Sequence, residues 1–156
     1  MRLQLALNVN DLKRSVDYYT ALFGTPPHKQ RPGYANFAIA SPPLKLVLFE
    51  NPGADERLNH LGVEVATDGE LEAAEARLRA AGLVDEVQRG TVCCHAKQDK
   101  VWSLEPDGVR FEWYRITDDE PIEEPATASC CGDKTTPAAE ATRSACCAAS
   151  AMEEML

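Results

Sequence analysis

Two adjacent thiols, Cys93 and Cys94, sit in the stretch TVCCHAKQDKVW at residues 91–102 and are either a two-point site for a soft acceptor or two buried or incidental cysteines. Thiolates prefer soft, thiophilic acceptors. Structural zinc fits this spacing poorly, because it takes separated Cys pairs or Cys with His at fixed intervals. All six cysteines come as adjacent pairs, at 93-94, 130-131 and 146-147. Neighbouring Cα atoms lie about 3.8 Å apart, below the usual disulfide span of about 4.4–6.8 Å. Cys130, Cys131, Cys146 and Cys147 therefore read as thiols rather than structural staples, or simply as incidental residues of a solvated segment. His95 is either loop surface or a group that helps ionise a neighbouring thiol.

A second set of candidates comes from strand alternation. In the first strand Leu3, Leu5, Leu7 and Val9 suit the face under a helix, which leaves Gln4, Ala6 and Asn8 on the other. In a matching segment Leu61, Val63 and Val65 leave His60, Gly62 and Glu64 opposite, and near the end Glu112 and Tyr114 alternate with Phe111 and Trp113. Gln4, His60 and Glu112 can thus point into one cavity. An imidazole, an amide oxygen and a carboxylate resemble the two-His-one-carboxylate face that binds non-haem Fe(II) with open positions. A strand histidine is often a satisfied core group instead, and His28 or His95 could replace Gln4 as a ligand. Tyr114 shares the Glu112 face and either acts near the metal or fills the cavity floor.

The elements that must position these groups read as one unit used twice. A strand over 2–9 leads to a helix capped by Asp11 and closed by Gly24, then to strands near 28–30, 34–40 and 44–50. The second copy has a strand over 58–65, a helix capped by Asp68 and ended by Gly82, and strands over 83–88, 97–104 and 109–115. Aligned, the copies put Gln4 opposite His60 and Val47 opposite Glu112. Repetition of this kind predicts an α+β fold of two βαβββ modules, about 1–53 and 57–116, enclosing a metal-binding cup.

The chain carries 16 Lys and Arg against 25 Asp and Glu, a formal charge of −9. Residues 117–156 hold nine of the acids and two of the bases, which leaves the body at −2. Such a body offers no electrostatic footprint for nucleic acid or anionic lipid. No apolar run approaches the roughly 18 residues needed to span a bilayer. The first residues enter a strand rather than a signal peptide, so a cytoplasmic, reducing setting is expected. The segment 117–156, with no aromatic residue and high net charge, is expected to be a disordered tail after a domain over 1–116.

The segments QLALNVNDL, LNHLGVEV and EPDGVRFEWY resemble the vicinal-oxygen-chelate superfamily of glyoxalases, extradiol dioxygenases and antibiotic-resistance proteins. In that superfamily the first ligand position is commonly His, and Gln4 departs from it. A trivalent arsenical carrying one organic group has two exchangeable positions, which two nearby thiolates can fill as a chelate. With TVCCHAKQDKVW and YANFAIASPPLKLVLFENP, the chain is similar to organoarsenical carbon–arsenic lyases within the superfamily. That resemblance implies Fe(II)- and O2-dependent cleavage of methyl or aryl arsenicals to arsenite, with Gln4, His60 and Glu112 on the metal and Cys93 and Cys94 on the substrate. His95 falls where an aromatic residue is expected. Thiol-based metalloid or cadmium sequestration, a thiol transferase and a ring-cleaving dioxygenase are the alternatives.

Overall fold

The computed structural model describes residues 1–122. The expected tail, and with it Cys130, Cys131, Cys146 and Cys147, lies almost wholly outside the described residues. In chain order the elements are β1 (Arg2–Val9), α1 (Leu12–Phe23), β2 (Lys29–Arg31), β3 (Tyr34–Ile39) and β4 (Leu44–Glu50). After them come β5 (Leu58–Glu64), α2 (Asp68–Ala80), β6 (Glu86–Cys93), β7 (Ala96–Leu104) and β8 (Arg110–Asp118). This is the vicinal-oxygen-chelate fold, two βαβββ modules in one sheet. Among the described residues no helix is long and apolar enough to cross a membrane.

Period-two alternation in β1 gives the sheet two different faces. Leu5, Leu7 and Val9 pack outward with Leu12 and Val16 of α1 and with Phe37, Leu46 and Leu48. Leu3 lies beyond the cover of α1 and stays half exposed. Asp11 accepts from the Arg14 amide at 2.8 Å, and Gly24 closes the helix at φ 62°, a left-handed turn that suits glycine. In the second module Leu71, Ala74 and Leu78 of α2 stand with Val65 and Val101. The cap of α2 is Thr67 rather than Asp68. Thr67 and Glu70 form a reciprocal capping box, while Asp68 turns to Arg115 at 2.6 Å.

The strand order is β2-β3-β4-β1-β5-β8-β7-β6. At its centre β1 and β5 run antiparallel, each flanked by a parallel partner from its own module, β4 and β8. Ala6 pairs with Val47, and Gly62 pairs with Glu112. The register thus makes Val47 the counterpart of Glu112, as the repeat alignment predicts. The two edges of the sheet meet at Lys29 of β2. Its buried ammonium donates to the His95 carbonyl at 2.9 Å and to Asp119 Oδ1 at 3.0 Å, and it also contacts the Asp119 carbonyl.

β6 begins later than the sequence suggests and continues to Cys93, so of the thiol pair only Cys94 lies in the connection leading into β7. Cys93 pairs with Ala96 across a two-residue turn in which Cys94 and His95 have φ of 54° and 61°. Tight hairpins demand positive φ at both central residues, and non-glycine residues held there carry strain of about 1–3 kcal/mol each.

Candidate functional site

Gln4 from β1, His60 from β5 and Glu112 from β8 converge beneath the inner face of the sheet, each 3–4% exposed. Gln4 Nε2 lies 2.9 Å from His60 Nε2 and donates to Glu112 Oε1 at 2.6 Å. His60 Nε2 is 3.2 Å from the same carboxylate oxygen. Ligand bonds of about 2.1 Å meeting at right angles put neighbouring donor atoms about 3 Å apart, so this triangle has the size of one face of a metal coordination shell. Turning the Gln4 amide over exchanges its nitrogen for its oxygen at the same place. Among the described residues no three His, Cys, Asp or Glu side chains gather at one point. The amide is therefore needed to complete the set.

A relay behind His60 fixes which ring nitrogen is available. The Glu56 carbonyl can only accept, so Asn8 Nδ2 donates to it at 3.0 Å and leaves Asn8 Oδ1 as an acceptor. Asn59 Nδ2 donates to that oxygen at 3.0 Å, which leaves Asn59 Oδ1 to accept from His60 Nδ1–H at 2.6 Å. The neutral ring then presents the lone pair of Nε2 to the triangle, the form a metal takes. Donor spacing and tautomer together fit a divalent cation.

Around Glu112 the charges are balanced. Lys100 Nζ, itself buried, meets Glu112 Oε2 at 3.1 Å and leaves Oε1 facing Gln4 and His60. Burial pushes the Glu112 carboxyl up, but the Lys100 ammonium outweighs it and holds the group well below the usual carboxylate range. Burial pulls Lys100 down and is likewise outweighed by Glu112, so its ammonium is held above the usual lysine value. The missing side chain of Gly62 is what admits Glu112. A Cβ there would lie 2.8 Å from Glu112 Cγ and 3.2 Å from the Glu112 carbonyl oxygen.

The thiols open on the same cavity as the triangle. Their sulfurs are 3.2 Å apart, and both residues are thiols rather than a disulfide. Tyr34, Val47 and Phe49 form an apolar wall with Ala6, against which Cys94 packs. The His95 ring lies against Tyr34, with centroids 5.3 Å apart, and the half-exposed His28 pairs with Asp119 at 3.3 Å; neither joins the triangle. Tyr114 does border it, with Oη 2.5 Å from Gln4 Oε1. Strand parity placed Asn8 and Gly62 on the inner face without giving either a role, and sequence reasoning missed Asn59 and Lys100. Gly62 carried a further signal, since glycine inside a strand marks a close approach.

Two βαβββ modules around a shared polar cup define a vicinal-oxygen-chelate protein. The model of the Glyoxalase/Bleomycin resistance protein/Dioxygenase superfamily matches residues 3–113, and the chain belongs to that superfamily. It is 57% identical over 118 residues to the cadmium-induced protein CadI of Mycobacterium tuberculosis, covering 76% of this chain and 78% of that one. It is 49% identical over 132 residues to the trivalent organoarsenical cleaving enzyme of Thermomonospora curvata, covering 83% and 87%. Among solved structures, the Mn(II)-bound glyoxalase from Novosphingobium aromaticivorans superposes with a TM-score of 0.55 at 18% identity, covering 79% of this chain and 41% of that one. That last likeness is one of fold.

Proposed function

We propose that this chain is an Fe(II)- and O2-dependent enzyme that cleaves the carbon–arsenic bond of trivalent organoarsenicals and releases arsenite. The observation that carries the reading is the placement of two thiols 3.2 Å apart on the cavity that also holds the Gln4–His60–Glu112 triangle. In this reading Gln4, His60 and Glu112 hold the iron, which when bound supplies the activation of O2 that oxidative removal of the organic group requires. Cys93 and Cys94 replace two exchangeable groups on arsenic and fix it at two points. Its third substituent, the organic group, is then held in the cavity, and the encounter with the metal centre becomes intramolecular. Tyr34, Val47 and Phe49 line the path of that group with apolar surface and exclude water from it. Lys100 occupies Glu112 Oε2, so one carboxylate oxygen faces the triangle.

A sequestration reading draws on the 57% identity to a protein named for induction by cadmium. In it the thiols bind a soft cation or metalloid and nothing is turned over. Arsenite release from methylarsenite by the Fe(II)-loaded chain, measured with and without O2, separates the two. Release that requires O2 supports the lyase. Stoichiometric binding with no arsenite formed in air sinks it in favour of sequestration.

A further inference from the structure

Gln4 is the one member of the triangle whose useful atom depends on which way it is turned. Its oxygen can serve a cation, whereas its NH2 group cannot. In the structure the NH2 faces Glu112 Oε1 at 2.6 Å and the oxygen faces Tyr114 Oη at 2.5 Å. Two oxygens at that first distance repel unless a cation lies between them, so the useful orientation of the amide depends on what the triangle holds.

Tyr114 Oη has a second neighbour, Glu64 Oε2, at 2.9 Å. A phenol has a single proton and cannot donate to both Gln4 Oε1 and Glu64 Oε2. Glu64 is held as a carboxylate by Lys45 at 3.1 Å and Arg2 at 3.0 Å, which makes it the stronger acceptor. A proton given to Glu64 leaves Tyr114 Oη with lone pairs toward Gln4, and the group that satisfies them is the amide NH2. We infer that Glu64 and Tyr114 are positioning residues that select the Gln4 rotamer with its oxygen in the triangle, so that metal entry and amide reversal occur together. With the Gln4 oxygen in the triangle, donation runs Gln4 Nε2 to Tyr114 Oη to Glu64, the counterpart of the asparagine relay behind His60. Of the two relays, only this one changes direction when the site fills.

This inference rests on the proposal that Gln4 is a metal ligand, and the test separates the two. Co(II) alone serves as the probe, titrated into the full metal-free chain and followed by its visible absorption. Replacing an outer partner of a ligand typically costs about 10–100-fold in metal affinity, and Tyr114→Phe is expected to fall in that range. A carboxylate has two equivalent oxygens and needs no selection. In a Gln4→Glu background the cost of Tyr114→Phe should therefore shrink to about threefold or less, a coupling that a packing role would not produce. Glu64→Gln, which removes the charge that directs the phenolic proton, should weaken Co(II) in the same direction and serves if Tyr114→Phe proves poorly folded by thermal melting. Equal losses in the Gln4 and Gln4→Glu backgrounds, or no loss from either Tyr114→Phe or Glu64→Gln, overturn the inference. Unchanged Co(II) affinity in Gln4→Ala removes the ligand assignment and the inference with it. A loss in Gln4→Ala with none in Tyr114→Phe removes the inference alone.

Discussion

Cys93 and Cys94 serve the substrate in the proposed mechanism, and Glu112 serves the metal, so substitutions at the two places should have separable effects. Cys93→Ser keeps the triangle intact and is expected to bind Fe(II) normally while arsenite release falls by at least about 100-fold, because one sulfur cannot hold the carbon–arsenic bond in place. Iron content and arsenite production on the same sample check it, and full activity with iron retained would remove the chelate. At Glu112 the test is stability against pH in the metal-free chain. The depressed Glu112 pKa stabilises the fold above the ordinary carboxylate value of about 4.3, and the benefit is lost as pH falls below it. The raised Lys100 pKa stabilises below about 10.4, and the benefit is lost as pH rises beyond it. Between these limits the pair contributes evenly. Lys100→Met strands a buried carboxylate and should cost about 3–5 kcal/mol at neutral pH. Burial then raises the folded Glu112 pKa above its unfolded value, so the deficit should shrink as pH is lowered toward 5. Denaturant melts across pH measure this, and a deficit that grows in acid would contradict the assignment of Lys100 as the partner.

Within β5 the chain sets His60 and Glu64 on the inner face with Gly62 between them, and Glu112 crosses the strand over that gap. Gly62→Ala places a methyl group 2.8 Å from Glu112 Cγ and should displace the carboxylate. Overpacking of this kind costs about 1–3 kcal/mol, and Fe(II) affinity should fall by about tenfold or more. Gly69→Ala in α2, where an added Cβ meets nothing, is the control and should leave metal binding intact. Retained affinity in Gly62→Ala would mean that Glu112 does not need this gap. The strand parities and the doubled βαβββ order were legible because alternation, Asp11 and the helix-ending glycines agree with one another. The start of β6 was not. Leu83 and Val84 look like strand residues, but Leu83 is exposed beyond α2, and the Cys94-His95 turn carries none of the Asn or Gly that usually marks a two-residue hairpin. The partners of the triangle were hidden for a related reason. Lys100 reaches Glu112 because Trp102 pairs with Glu112 across β7 and β8, and that register cannot be read from either strand alone.

At the scale of the molecule, the cup is an open sheet whose two edges are held together by one buried cation. Lys29 belongs to the first module. Its acceptors are the carbonyl of His95, in the thiol turn of the second module, and Asp119, just past the end of β8. Arg31 and His28 add exposed pairs to Glu120 and Asp119, which are worth little by themselves. Asp119 and Glu120 were expected to belong to the tail, yet they supply these contacts. Shortening the chain therefore has a threshold. A protein ending at Ile122 keeps every described contact of Lys29 and should melt like the full chain and bind Fe(II) equally well. One ending at Thr117 leaves the Lys29 ammonium buried with a single backbone carbonyl, and loss of charge-assisted partners to a buried group costs about 1–3 kcal/mol. Because the same lysine holds the turn that carries Cys94, the shorter chain should lose arsenical affinity more than metal affinity. Asp119→Ala in the full-length protein should reproduce most of the loss. Thermal melts and separate titrations with Fe(II) and methylarsenite on the two truncations decide the matter, and equal behaviour of both would show that the edges hold together without Asp119.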